Sequence, residues 1–211
     1  MAKFHHKEIM LHSPMQNSMG YDLGFGGLKK GMSETALKQT LINSFQKVSH
    51  MVGINNHMGS ILTTDPIAMR WVMEIIREHP FYFVDSRTSA ESVAADTATQ
   101  FNIPNLSRDV FLDHVQNRDF IQGQFLKLVE LAKKNGTAIA IGHPHPETVE
   151  YLSWALSKLD EKGVAIASIS GLWQIRNPQR DIQKELAKSP SQRATQLRLA
   201  DYSYKTEKIS Y

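Results

Sequence analysis

Two histidines two residues apart, His143 and His145, close the segment Gly142-His143-Pro144-His145-Pro146, directly after the apolar run Thr137-Ala138-Ile139-Ala140-Ile141. Imidazole is the side chain that can both ligate a divalent cation and move a proton near neutral pH. Four more polar groups of the same kind follow short apolar runs: His12 after Ile9-Met10-Leu11, His57 in Gly53-Ile54-Asn55-Asn56-His57-Met58-Gly59-Ser60, Asp85 in Phe83-Val84-Asp85-Ser86-Arg87-Thr88-Ser89, and Asp113 after Val110-Phe111-Leu112. The chain has no cysteine, which excludes disulfides, thiolate zinc sites and cysteine nucleophiles. Any metal must therefore be held by histidine and carboxylate, a donor set suited to zinc, manganese, iron or nickel.

These groups need rigid elements to hold them. Apolar runs at 8–12, 51–55, 81–85, 109–112, 137–142 and 164–169 read as strands. Helices fill the gaps: Ser33 caps one that runs to about 48, Asp65-Pro66 opens one that runs to about 78, and Ser89 or Ala90 opens one that runs to about 101. A fourth covers 118 to 134 and stops at Asn135-Gly136, and a fifth runs from 147 to about 159. Strands alternating with helices imply parallel β/α units, in which the carboxyl ends of successive strands converge on one mouth. Residues 13–32 read as a loop long enough to form a lid or rim, and 181–188 as a short helix.

Each residue also has a plainer reading. A lone strand-end histidine more often satisfies loop backbone than binds metal. Asp85 can cap the next helix or pair with Arg87, Asp113 can do the same for its own loop, and Asn55-Asn56 before Gly59 can be turn chemistry. His5, His6, His50, His79 and His114 lie in polar, helix-end or terminal settings, and Trp71, Trp154 and Trp173 read as core residues rather than sugar platforms. Convergence of five such groups is what raises the chemical reading.

The 211 residues suffice for a sizeable core, and 41% hydrophobic with 21% charged residues is ordinary for a globular chain. No run approaches the roughly 18 to 20 apolar residues of a membrane span, and the first residues show no secretory signal. Net charge is +3, but from Arg176 onward eight Lys/Arg face only four Asp/Glu, so the basic surplus belongs to the last segment. No basic and aromatic stripe accompanies the histidine motifs, which argues against a nucleic-acid partner.

Leu11-His12-Ser13-Pro14-Met15, Gly53 to Ser60, Val84-Asp85-Ser86-Arg87-Thr88-Ser89, Asp109-Val110-Phe111-Leu112-Asp113 and Ala140 to Thr148 resemble, in order and spacing, the divergent polysaccharide deacetylase family. That family in turn resembles the NodB-homology carbohydrate esterases. The resemblance implies an α/β fold, a distorted (β/α)7-type barrel over residues 1–172, with 173–211 a basic, partly disordered tail outside it. It implies a divalent metal, zinc first, that activates water against the acetamide of an N-acetylated polysaccharide or oligosaccharide. His12 and His57 would be metal ligands. His143 would be the acid or a supporting residue, with Asp85 and Asp113 in the catalytic group. Asn56, Arg87 and His145 would contact substrate, His145 being the least defined. His12, His57 and His143 are expected in one pocket walled by Asp85 and Asp113.

The family pattern opens with a strand ending in an Ile-Asp-Asp-type motif that supplies an aspartate ligand and the base, followed by a second strand. Residues 2–9 look like the turn before the third family strand, so Met1 is expected to lie inside a family domain whose first strands are missing. A bacterial periplasmic or extracytoplasmic location, with its signal peptide, goes with the same lost segment. The expected activity is metal-dependent deacetylation of a cell-envelope or other glycan, in the full-length parent if not in this chain. The alternative is a non-catalytic envelope protein that binds glycan or metal. A third reading, a metal-dependent phosphoesterase, is suggested by His-Pro-His-Pro, with only Arg87 and Arg108 to bind phosphate.

Overall fold

The computed structural model describes residues 2–192 and resolves into two compact units. The first takes in the chain up to Leu106 and again from Asn177; the second is Ser107–Arg176. The expectation of a disordered end to the basic segment falls on 193–211, outside the described residues.

The first unit is built on a four-stranded sheet in the order β1 (Ile9–Met15), β2 (Met51–Met58), β3 (Tyr82–Asp85), β4 (Asn105–Ser107). β1 pairs parallel with β2, and β2 parallel with β3. Helices α1 (Glu34–Phe45) and α2 (Pro66–Ile76) supply the crossovers that parallel strands require. α1 is capped by Ser33, which accepts from the backbone of Ala36, and buries Leu37 and Leu41 four residues apart. α2 is capped by Asp65, has Pro66 in its first turn, and buries Met69, Val72, Met73 and Ile76. With Leu11, Ile54 and Phe83 from the strands they form one core. Burying a side chain of this size contributes roughly 1.5–3 kcal/mol each. α3 (Ala94–Gln100) follows, and α7 (Ile182–Ala187), capped by Asp181, falls where the short helix was expected.

The second unit pairs β5 (Val110–Phe111) parallel with β6 (Ala140–Ile141). α4 (Arg118–Asn135) connects them, with Asn117 as cap and Gly136 at φ 79° as stop, a left-handed conformation that glycine adopts without steric cost. Ile121, Phe125 and Val129 of α4 pack with Val110, Leu112 and, from α5 (Pro146–Leu156), Tyr151 and Ala155. α6 (Ile169–Arg176) ends on Arg176, whose guanidinium donates to Thr137 Oγ1 (2.8 Å) and Asp109 Oδ2 (3.1 Å). Asp109 Oδ2 also accepts from the backbone of Ile139 (2.8 Å), tying the start of β5 to the entry of β6.

The fold is thus α/β with parallel sheets, and among the described residues neither sheet closes on itself. Four details depart from the sequence reading. β1 and β2 continue past His12 and Asn55, so His12 and His57 sit within strands and not after them. β4 is too short, at three residues, to leave an alternation. α3 begins at Ala94, because 86–92 form the turn around Asp85. Residues 164–168 form no ladder: 164–167 border an apolar cavity of about 810 Å³ shared with Ala138, Ile139 and Ala140, and Ile169 already starts α6. Trp173 is buried in the second unit and Trp71 packs against the core of the first, but Trp154 is 52% exposed on α5, since the buried face of that helix is carried by Thr148, Tyr151 and Ala155.

Candidate functional site

The register of β1 against β2 builds the first cluster. His12 is level with Asn55, and Pro14 with His57. Side chains alternate along a strand, so His12, Pro14, Asn55 and His57 share one face. Ser13, Met15, Ile54 and Asn56 are buried. His12 and His57 are diagonal neighbours on the open face, within reach of long side chains. Their rings meet with His12 Nε2 2.9 Å from His57 Nδ1 and ring centres 4.6 Å apart. One ring must donate and the other accept, so the contact selects complementary tautomers.

The chain turns sharply just beyond His57. Met58 has φ 54°, an uncommon left-handed conformation for a residue with a side chain. Asn56 holds this turn. Its amide donates to Met58 O (2.8 Å), and its carbonyl accepts from Ser86 N (2.8 Å). Ser86 Oγ returns a bond to Asn56 O (2.7 Å), and Thr88 Oγ1 donates to Met58 O (2.8 Å). Asn56 is 0% exposed and its polar atoms are committed inward, the turn-forming role set out beside the functional one.

Asp85 ends β3 and is also 0% exposed. Its Oδ1 accepts from Arg87 N (2.8 Å) and its Oδ2 from Ser92 Oγ (2.8 Å), which folds 86–92 back over the strand end. Arg87, at φ 45°, is exposed and its guanidinium donates to Ala90 O (3.3 Å). The rim after β1 is pinned to the same region. Gln16 O accepts from Ile61 and Leu62, and Asn17 Nδ2 lies 3.0 Å from Met58 Sδ.

The second unit carries the other cluster. Asp113 follows β5 and His143 follows β6, brought level by the bond from Leu112 N to Ile141 O. The Asp113 side chain is 0% exposed. It accepts from the His143 backbone, from His143 Nδ1 (3.1 Å) and from Thr148 Oγ1 (2.9 Å). A Cβ on Gly142 would lie 3.3 Å from Asp113 Oδ2, so glycine leaves room for the carboxylate. Burial pushes the Asp113 carboxyl up, but the His143 and Thr148 hydrogen bonds outweigh it and hold its pKa below the usual carboxylate value. Ionised Asp113 accepts the Nδ1–H of His143, which leaves Nε2 as the working nitrogen. His145, at the N-cap of α5, lies with Nε2 3.2 Å from Gln116 Nε2.

The two histidines of the first cluster therefore meet, as do Asp113 and His143 in the second, while Asn56 and Asp85 lie behind the surface. Three contributors were not singled out from sequence: Ser86, Thr148 and Gln116. Hydroxyls and amides in loops leave no periodic signal. Only Thr148, one turn into a helix that begins at a histidine, gave a hint.

The sequence pattern of the divergent polysaccharide deacetylases matches residues 1–173. This chain belongs to that family. Within it, the chain is 36% identical over 173 residues to an uncharacterized protein of Haemophilus influenzae, covering 82% of this chain and 61% of that protein. It is 37% identical over 145 residues to the uncharacterized protein YibQ of Escherichia coli, covering 69% of this chain and 46% of YibQ. The chain thus spans between about half and three-fifths of these curated relatives. The crystal structure of the uncharacterized protein ATU2773 of Agrobacterium tumefaciens C58 superposes with a TM-score of 0.78 at 25% identity, over 81% of this chain and 70% of that one. Like the family match, that likeness supports the mixed α/β architecture with parallel strands.

The implied metal can be tested against the first cluster. Two ring nitrogens 2.9 Å apart stand close to the separation of neighbouring ligands on an ion bound at about 2.0–2.1 Å. Both donors are imidazoles, which suit zinc. The residues fit. Among the described residues, no helix is long and apolar enough to cross a membrane.

Proposed function

We propose that this divergent polysaccharide deacetylase takes part in metal-dependent removal of N-acetyl groups from a bacterial cell-envelope or other glycan, outside the cytoplasm. The observation that carries the reading is the His12–His57 pair, set by strand register on one open face. A divalent ion held by these two histidines, zinc the first candidate, would supply Lewis acidity to water and to the acetamide carbonyl.

The protein's own groups divide the remaining work. In the hydrolysis, the amide C–N bond breaks, water oxygen goes to the acetyl carbon, and the amine leaves with a proton. His143 is the proposed donor of that proton through Nε2, with Asp113 fixing its tautomer and ring orientation. Arg87, exposed on a strained turn, is proposed to bind substrate, and Asn56 and Asp85 to hold the walls on which His57 and Arg87 stand. The finer fold reading, a distorted (β/α)7-type barrel over residues 1–172 with a basic segment outside it, belongs to this proposal and rests on the family resemblance. So does the activity of the whole protein, given how much of its relatives' length the chain spans.

One observation favours the alternative, a non-catalytic glycan- or metal-binding protein. Asp85 and Asp113 are both buried and hydrogen-bonded, so neither is placed as a general base. The deciding experiment is acetate release from chitooligosaccharide or peptidoglycan by zinc-loaded protein. Acetate that disappears with chelator and in His57→Ala supports the hydrolase; glycan retention without acetate favours the binder.

A further inference from the structure

The His-Pro-His-Pro segment has a use that proton donation does not exhaust. Within the second unit, one oxygen of Asp113 and one ring nitrogen each of His143 and His145 lie within 4.8 Å of one another. We infer that Asp113, His143 and His145 form a second divalent-cation site, whose occupancy withdraws His143 from proton donation.

The donor set is borderline in softness: two imidazoles and a carboxylate, suited to zinc or cobalt over magnesium or calcium. The Asp113–His143 contact, 3.1 Å between Oδ1 and Nδ1, is already near the spacing of adjacent ligands on such an ion, and ligation through Nδ1 leaves the His143 ring proton on Nε2. Only the His145 ring must close in. It is half-buried on a short turn whose backbone is stiffened by Pro144 and Pro146, so the shift is a side-chain rotation and not a loop rearrangement. Gln116 lies at the far ring nitrogen of that closing motion (3.2 Å). Amide orientation is set by hydrogen bonding, and with its carbonyl turned to His145 Nε2–H, Gln116 would fix the tautomer that leaves Nδ1 free, the usual task of a partner behind a metal-bound histidine.

The site opens the first turn of α5, where the helix dipole is positive. That opposes a cation and lowers the affinity there by up to about tenfold. When the site is occupied, His143 is a ligand and no longer a donor. The inference rests on the proposed role of His143 only for this consequence; the binding itself stands apart.

Cobalt(II) titration of the full chain, followed by its visible absorption, tests it. Two equivalents are expected. His12→Ala/His57→Ala should keep one equivalent, and adding His145→Ala to that double variant should weaken it at least tenfold. His145→Ala alone should keep one equivalent. If the double variant binds no cobalt, or binds it equally with and without His145, the second site does not exist, and the deacetylase reading is untouched. If the native chain binds a single equivalent that the double variant retains and His145→Ala removes, the second site stands and the His12–His57 metal reading falls.

Discussion

The two histidine clusters solve different problems. His12 and His57 face each other across adjacent strands, exposed or half-buried, in a ring-to-ring contact that depends on complementary tautomers. His143 is tied to a fully buried carboxylate that also accepts from Thr148 and from the backbone. The first arrangement costs little to open and can exchange its mutual hydrogen bond for a shared ion. The second is a committed network, in which the position of one proton is fixed by a charge that cannot be removed without leaving several donors unmatched. An exposed pair suits ready ligand exchange, and a buried dyad places a proton until a cation occupies it.

The strongest way to break the comparison is Asp113→Ala. It leaves the His143 N–H, the His143 ring and the Thr148 hydroxyl without their acceptor, and the expected loss is about 3 kcal/mol in urea unfolding. His12→Ala should leave the unfolding midpoint nearly unchanged. Equal losses in the two variants would show that the clusters are not different in kind.

Next in size is Asn56→Ala. It removes the acceptor of Ser86 N and a donor to Met58 O. The expected cost is about 2 kcal/mol, accompanied by a weaker zinc affinity, about tenfold, because the turn beyond His57 loosens. Isothermal titration on folded protein reads the second effect. An unchanged affinity would mean that β2 positions His57 without help from the turn.

Acidification separates the clusters again. Because the folded pKa of Asp113 is lowered below its ordinary value of 3.8, its contribution to stability is fully present above that value. It is lost as pH falls through the lowered pKa. Unfolding free energy should therefore decline below about pH 4, and Asp113→Asn should flatten part of that slope. The smallest expected effect is Thr148→Val, about 1 kcal/mol for one hydrogen bond to a retained carboxylate.

Much of this was readable in the amino-acid order, and for identifiable reasons. Ser33 and Asp65 announced the starts of α1 and α2 because a cap acts through its own side chain on backbone two or three residues away. Asn135-Gly136 announced the end of α4 in the same local way. The expected strand at 164–169 failed because pairing is not local: Val164-Ala165-Ile166 is apolar, but it borders a cavity and finds no ladder. Trp154 failed for the complementary reason, since helical spacing does not say which face a neighbour will cover.

The sequence alone determined the donor set, the motif order and with it the family, because residue type and spacing are properties of the chain. Which donors meet was decided only by tertiary structure. His12 and His57, forty-five residues apart, touch because β1 and β2 pair in one register; a slip of one residue would turn one ring to the opposite face of the sheet. Asp113 and His143 meet because a parallel pair brings two strand ends level, and Asp113 holds its charge there because Gly142 and Thr148 leave it room and a donor.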